Sequence, residues 1–288
     1  MLKHALALSL VVATQAFAQS KLTVKPLTAS GPGFFVNSAL ITGEKEAILI
    51  DSSFTKADAH RIVGAILDSG KTLTTIYVTH GHPDHYFGVE VIRAAFPSVK
   101  VVATADTVAV ITKTWEGKVK QWGPMYGANL TDKPVVPEVL KEKALTLDGE
   151  KIEILGPVQG DDAKNTYVWI PGSKTLIGGD ILYAGTHVWT AETKAADRKA
   201  WGKTLDALAK LNPAVVIPGH QTPDAKQDAS IITFTKTYLA DFDAALTGSK
   251  SSEEVQTKVK AKHGSLALDP ILKFGADAQF AAAAPAKK

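Results

Sequence analysis

Short apolar runs of two different periods divide the chain. Residues 21–24, 33–41 and 46–50 alternate or run apolar between Gly-rich or Gly-Glu-Lys turns, which predicts a β meander. Thr55-Lys56-Ala57-Asp58 has the form of a capping box, and Ala59, Ile62, Val63, Ile66 and Leu67 make one apolar face of a helix ending at Gly70, with His60 on the solvent face. Residues 73–78 fit a buried strand, 88–96 a short helix and 100–103 another strand. A helix follows from residue 105 to about 121, with Val108, Ile111 and Trp115 on one side. Residues 122–137 have no clear period and read as a loop of the kind that forms lids. Trp122, Met125 and Tyr126 there, with Trp115 on the preceding helix, either line a pocket or pack. Residues 144–147 and 152–155 form a hairpin around Asp148-Gly149. Residues 195–211 carry Trp201, Leu205, Leu208 and Leu211 at helical spacing and stop at Asn212-Pro213. Residues 223–246 and 251–262 predict two more helices, and the Ala/Lys tail after Gln279 frays. The recurring β-α-β order argues for an α/β architecture.

The strand over 73–78 runs into Thr79-His80-Gly81-His82-Pro83-Asp84-His85, which sets four candidate metal ligands within six residues. Three imidazoles and a carboxylate so close together suit a core badly, because each needs a polar partner once desolvated. They are ordinary donors for zinc and its first-row neighbours. Leaving a strand for a loop, the order lets His80 and His82 point to one side while Asp84 and His85 reach a second ion. The bend residues Gly81 and Pro83 alternate with the ligands.

This run resembles the signature of the metallo-β-lactamase superfamily, mostly dinuclear hydrolases. The resemblance covers roughly residues 33–220 and implies a four-layer αβ/βα sandwich. It further implies that the Asp of Gly179-Asp180 bridges two metals and that His220 of Pro218-Gly219-His220 is the last ligand. Where the family commonly reads Gly-His-Thr-x-x-Asn, this chain has Asp161 in the His slot before Asn165, with Gln159 and Asp162 as competing ligands or Asp161 as a turn residue. The ligand set so implied is His80, His82 and Asp161 on one ion, Asp84, His85 and His220 on the other, and Asp180 between them. Asp51, at the end of the strand over 46–50, matches a residue that supports the metal loop. His187, just beyond Asp180, is a candidate for contact with substrate or ligands, or a surface residue.

An Asp at position 161 changes the charge. Two divalent ions balance three carboxylates and a metal-bridging hydroxide, giving a neutral centre where a His would leave +1. Bound water is then acidified less, and the oxygen donor favours harder ions. The expectation is two divalent ions, zinc with manganese or iron as alternatives, and an alkaline-shifted rate profile.

Composition narrows the setting. The 288 residues carry 32 basic and 29 acidic side chains, net +3, with no basic block, so charge makes no case for nucleic acid or an anionic membrane. Residues 1–18, with a basic start, a short apolar stretch and Ala16-Phe17-Ala18, have the form of a cleaved secretory signal. That predicts a periplasmic or secreted protein and one domain over 19–288 with C-terminal helices, not bound to a membrane after cleavage. With no cysteine, neither disulfides nor thiolate ligands are available. The expected activity is hydrolysis of a small ester, lactone or amide, with Asp84 also orienting the nucleophile or carrying its proton. A β-lactam substrate is the alternative, and a non-catalytic metal-dependent binding protein the third. Oligomeric state stays open.

Overall fold

In the computed structural model, residues 20–281 are described. The leader expected over residues 1–18 lies outside them. The first sheet begins with the predicted meander, β1 (Thr23–Thr28), β2 (Asn37–Thr42) and β3 (Glu46–Ile50), paired antiparallel. The helix α1 (Lys56–Ser69) crosses to β4 (Thr72–Val78), α2 (Val89–Ala95) to β5 (Lys100–Ala103), and α3 (Ala105–Tyr126) to β6 (Glu138–Val139), so the last four strands of this six-stranded sheet run parallel. The Thr55 hydroxyl caps α1 by accepting from Asp58 N, and Gly70 closes it in a left-handed conformation at φ 64°.

The second sheet starts with a hairpin of β7 (Ala144–Leu147) and β8 (Glu150–Val158). Its turn residues Asp148 and Gly149 both have positive φ, as a two-residue hairpin turn requires. Antiparallel β9 (Asn165–Ile170) and β10 (Thr175–Ile177) follow, then a short β11 (Tyr183–Ala184), α4 (Ala195–Lys210), β12 (Val215–Ile217) parallel to β10, and β13 (His220–Gln221) pairing with β11. The helices α5 (Ser230–Leu246), α6 (Ser252–His263) and α7 (Asp269–Ala281) complete the described chain. No described helix is long and apolar enough to cross a membrane.

Strand alternation sorts the core into three apolar seams. Ala39, Ile41, Ile48, Ile50 and Tyr77 meet Ile154, Val168, Ile170, Ile177 and Ile217 between the two sheets. Their neighbours Leu40, Leu49, Ile76 and Val78 face α1, α2 and α3 residues such as Ile62, Ile92 and Ile111. Trp169, Leu176 and Val216 face Trp201, Leu205, Tyr238 and Phe242 on the opposite side. Three seams need four layers, helix-sheet-sheet-helix, as expected. Each fully buried aliphatic or aromatic side chain adds roughly 1.5–3 kcal/mol of burial free energy.

Several sequence expectations need correction. Residues 122–126 continue α3 rather than forming a loop, because Trp122 and Tyr126 pack on Phe54, at ring centroid distances of 5.5 and 4.8 Å, and hold the last turn despite Pro124. Leu67 is 64% exposed and leaves the apolar face of α1. Helix α5 starts at Ser230, not 223, since the polar residues 223–229 bury no stripe. The tail is helical through Ala281 as part of α7, and the remainder lies outside the described residues.

Candidate metal centre

Topology brings the candidate ligands to one edge. Parallel β3 and β4 end beside each other, which places Asp51 next to the loop of residues 79–85. Parallel β10 and β12 do the same for Asp180 and His220. Antiparallel β9 begins where β10 ends, which puts Asp161 at that edge too. Two glycines permit the close approach. A Cβ on Gly81 would come within 2.5 Å of Val110 Cγ1, and one on Gly219 would lie 2.6 Å from the Gly179 carbonyl carbon and strike Asp180.

Two groups of ligand-type residues result: His80, His82, Asp161 and Asp180, and Asp84, His85 and His220, the ligand atoms of each lying within 4.8 Å of one another. All seven residues are buried. Asp180 looks toward both groups, with Oδ2 3.7 Å from His80 Nε2 and 3.3 Å from His220 Nε2, and Oδ1 3.1 Å from His85 Nε2. Asp161 Oδ2 stands 2.8 Å from His82 Nδ1. The competing candidates turn away, Gln159 Nε2 donating to Gly160 O and Asp162 accepting from Lys164 N. Asn165 Nδ2 donates to Asp161 Oδ1 at 2.7 Å and aims the carboxylate.

The surrounding hydrogen bonds orient each imidazole. Asp51 accepts from Thr79 N and from the Thr79 hydroxyl, both at 2.7 Å. The hydroxyl proton being committed there, Thr79 Oγ1 accepts from His80 Nδ1 at 3.0 Å and leaves the Nε2 lone pair facing inward. Asp51 Oδ2 takes His85 Nδ1 at 2.9 Å, and the Phe34 carbonyl takes His220 Nδ1 at 2.7 Å, with the same result. His82 is turned the other way. Its Nδ1 faces the cluster, and its Nε2 lies 3.3 Å from Glu192 Oε2.

Burial drives the His80 pKa well below the usual histidine range, with the neighbouring His85 adding to the effect. Burial also opposes charge on His82, His85 and His220, yet facing carboxylates hold all three above the ordinary value, Asp161 and Glu192 for His82 and Asp180 for the other two. Asp180 responds in the opposite sense: burial would raise it, and His220 and His85 pull it well below the carboxylate range. Asp161 is pushed up, burial outweighing the pull of His82.

Four buried donor atoms, His80 Nε2, His85 Nε2, Asp161 Oδ2 and Asp180 Oδ1, have no hydrogen-bond partner among the described residues. Asp161 Oδ2 approaches His82 Nδ1 to 2.8 Å, and Asp180 Oδ1 approaches His85 Nε2 to 3.1 Å, without hydrogen-bond alignment. Converging lone pairs that are close, buried and misaligned for one another suit divalent cations, and the mixed His and carboxylate set is a zinc-type donor set.

A cleft with about 660 Å³ of empty volume, open mouth included, reaches the cluster at His82, Asp84, Asp180 and His220. Trp122 lines it. Trp115 packs in the helix-side core and Met125 is 71% exposed, so neither shares the pocket role open to them in the sequence. His187 also lines the cleft, buried rather than on the surface, its Nδ1 2.9 Å from Tyr238 Oη. Sequence reasoning missed Glu192, which sits in a short loop with no motif around it, and Tyr183, whose hydroxyl donates to Asp180 Oδ2 at 2.9 Å and whose ring stacks on His220. The Gly-Asp-x-x-Tyr spacing was the available signal for Tyr183.

Comparison with known proteins bears on family and fold. The family model described as "Metallo-beta-lactamase superfamily" matches residues 31–220. A Pseudomonas aeruginosa protein described as "Metallo-beta-lactamase type 2" is 27% identical over 214 residues, 74% of each chain. A metallo-beta-lactamase family protein from Thermus thermophilus shares the fold with a TM-score of 0.63 at 21% identity, over 88% of this chain and 91% of that one. The sec-alkyl sulfatase PisA1 does so at 0.62 and 20% identity, over 90% of this chain and 49% of the sulfatase.

Proposed function

The chain belongs to the metallo-beta-lactamase superfamily, and we propose from that premise that it is a dinuclear, zinc-dependent hydrolase of a small ester, lactone or amide. The observation that carries the reading is the set of four buried, partnerless donor atoms in the ligand cluster that the cleft reaches at Asp180. Leaving such atoms without partners costs roughly 1–3 kcal/mol each, more if charged, and cation ligation offsets that cost.

His80, His82 and Asp161 would hold one ion, Asp84, His85 and His220 the other, with Asp180 shared. When bound, such ions supply Lewis acidity, lowering the pKa of water and stabilising the oxyanion that develops on an attacked carbonyl. The protein's own groups do the rest. Asp84 lines the cleft with Oδ2 3.3 Å from His220 Nε2, and burial, which alone would raise its pKa, is outweighed by His85 and His220. It stays ionised and able to accept a hydrogen bond from a water and so orient it. Tyr183 fixes Asp180, and Asp51 fixes both Thr79 and His85. Phe34, Phe54, Trp122, Trp189, Leu268 and Ile271 supply the apolar part of the cleft lining beside these groups.

A second reading, β-lactam hydrolysis, is favoured by the printed name of the Pseudomonas aeruginosa relative. One experiment addresses both. The metal-reconstituted protein is assayed for ion content and for turnover of an ester, a lactone and a cephalosporin from pH 6 to 10. About two ions per chain, with turnover abolished by His82→Ala, is the expected result. Two ions with no turnover of any substrate overturns the hydrolase reading, and preference for the cephalosporin selects the second.

A further inference from the structure

Helices α5, α6 and α7 lie beyond residue 220, where the family match ends, and the chain entering α7 returns to the cleft. Ala267 forms a parallel bridge with Thr186, its N–H donating to Gly185 O at 2.9 Å and its carbonyl accepting from His187 N at 2.9 Å. The next residue, Leu268, has φ 68°, a backbone state that side chains with a Cβ rarely adopt and that persists only where the surroundings impose it. Leu268 and Ile271 both line the cleft that holds His82, Asp84, Asp180 and His220. One turn on, Phe274 lies against Trp189, another lining residue, at a centroid distance of 6.0 Å, and Gly275 packs on Thr190. The extension therefore supplies two lining side chains and braces a third.

We propose that this C-terminal strap determines substrate choice, and that Leu268 and Ile271, with Trp189, form an apolar wall that takes the aliphatic acyl arm of an ester or lactone. The inference rests on the hydrolase reading for the reacting end and adds the class of the other end. Phe54 and Trp122 line the same cleft, and the charges on its wall apart from the ligands, Lys118 and Glu192, are opposite in sign, with Glu192 already facing His82. An uncharged hydrocarbon arm leaves no buried charge unmatched there, whereas a charged arm would meet one like charge as well as its opposite. At Leu268 the left-handed backbone carries a side chain that lines the cleft. A glycine would relieve the backbone and remove the wall.

The test uses the full chain loaded with zinc and two homologous series, 4-nitrophenyl esters from acetate to decanoate and straight-chain carboxylates of the same lengths. Carboxylate binding is read from tryptophan fluorescence and calorimetry. Wild type should gain about three- to fourfold in affinity, and in kcat/KM, per added methylene until the cleft is filled. Leu268→Gly and Ile271→Ala should each lower the decanoate-to-acetate ratio about tenfold. A fall of all chain lengths in parallel, with the ratio kept, marks a merely structural strap and overturns the proposal. So does carboxylate affinity independent of chain length in wild type. Because binding is measured apart from turnover, a protein that binds long carboxylates tightly yet hydrolyses nothing supports the wall while sinking the hydrolase reading.

Discussion

His85 Nδ1 lies 2.9 Å from Asp51 Oδ2, and Asp51 holds that position with a left-handed backbone at φ 57°. Asp and Asn tolerate this conformation better than other residues with a Cβ. Asp51→Asn therefore keeps the backbone and removes the charge that orients His85 and Thr79. Metal affinity, measured by chelator competition, should fall about 10- to 100-fold. Asp51→Ala adds backbone strain and should lower the melting temperature as well. Unchanged affinity in Asp51→Asn would deny Asp51 its supporting role.

Glu192 makes the matching contact to His82 Nε2, but from a half-exposed position. The hydrogen bond to His82 pulls its carboxyl down to about 2, so it is charged across the working pH range. Solvent screening makes this contact weaker than that of Asp51. Glu192→Gln should reduce metal affinity about threefold to tenfold, and Glu192→Leu somewhat more. Equal losses for Glu192 and Asp51 variants would contradict the ranking by burial.

Replacing Asp161 by His would add one positive charge at the cluster and restore the residue common at that place in the family. The acid limb of kcat/KM should shift to lower pH by about one unit. Affinity for zinc relative to manganese should rise. A profile that overlays wild type, or a wild-type plateau already reached at pH 6, would remove the charge argument.

His187 gives a pH dependence of stability separate from the ligands. Burial drives its pKa from 6.5 down to about 4, Lys260 and His263 add to the effect, and Asp269, 3.4 Å from Nε2, opposes it. Between these values the unfolded chain binds the proton and the folded chain does not, so stability falls as pH drops from 6.5 toward 4. The ceiling is roughly 3 kcal/mol. In chemical denaturation of wild type and His187→Gln between pH 7 and 4.5, the variant should lose less stability than wild type. Parallel losses would place the titration elsewhere.

The clustered loop was legible because its four ligands are local in sequence and the preceding strand announces their direction. Asp180 and His220 were legible for a related reason: each follows a short apolar run and a glycine that has to be small. Glu192 was not, since its role depends on a fold-level approach to His82 that no neighbouring residue signals. The last turn of α3 was obscured by Gly123-Pro124, whose local preference is outweighed by aromatic packing of Trp122 and Tyr126 on Phe34 and Phe54. Helix α7 escaped notice because small residues, Gly275 and Ala276, occupy much of its buried face in place of a large apolar stripe.

The centre draws donors from both halves of the chain, His80, His82, Asp84 and His85 from the loop after β4, Asp161 and Asp180 from loops beside β9 and β10, and His220 from the start of β13. Among the described residues, the Val36–His220 bridge joins the two halves at that rim, flanked by the Asn37–Gly219 and Gln221–Phe35 backbone hydrogen bonds. Ions seated there would rivet one half of the polypeptide to the other. A chelator would then do more than silence the site: it would unfasten the open end of the sandwich, and the two halves would part first where the rivets had been.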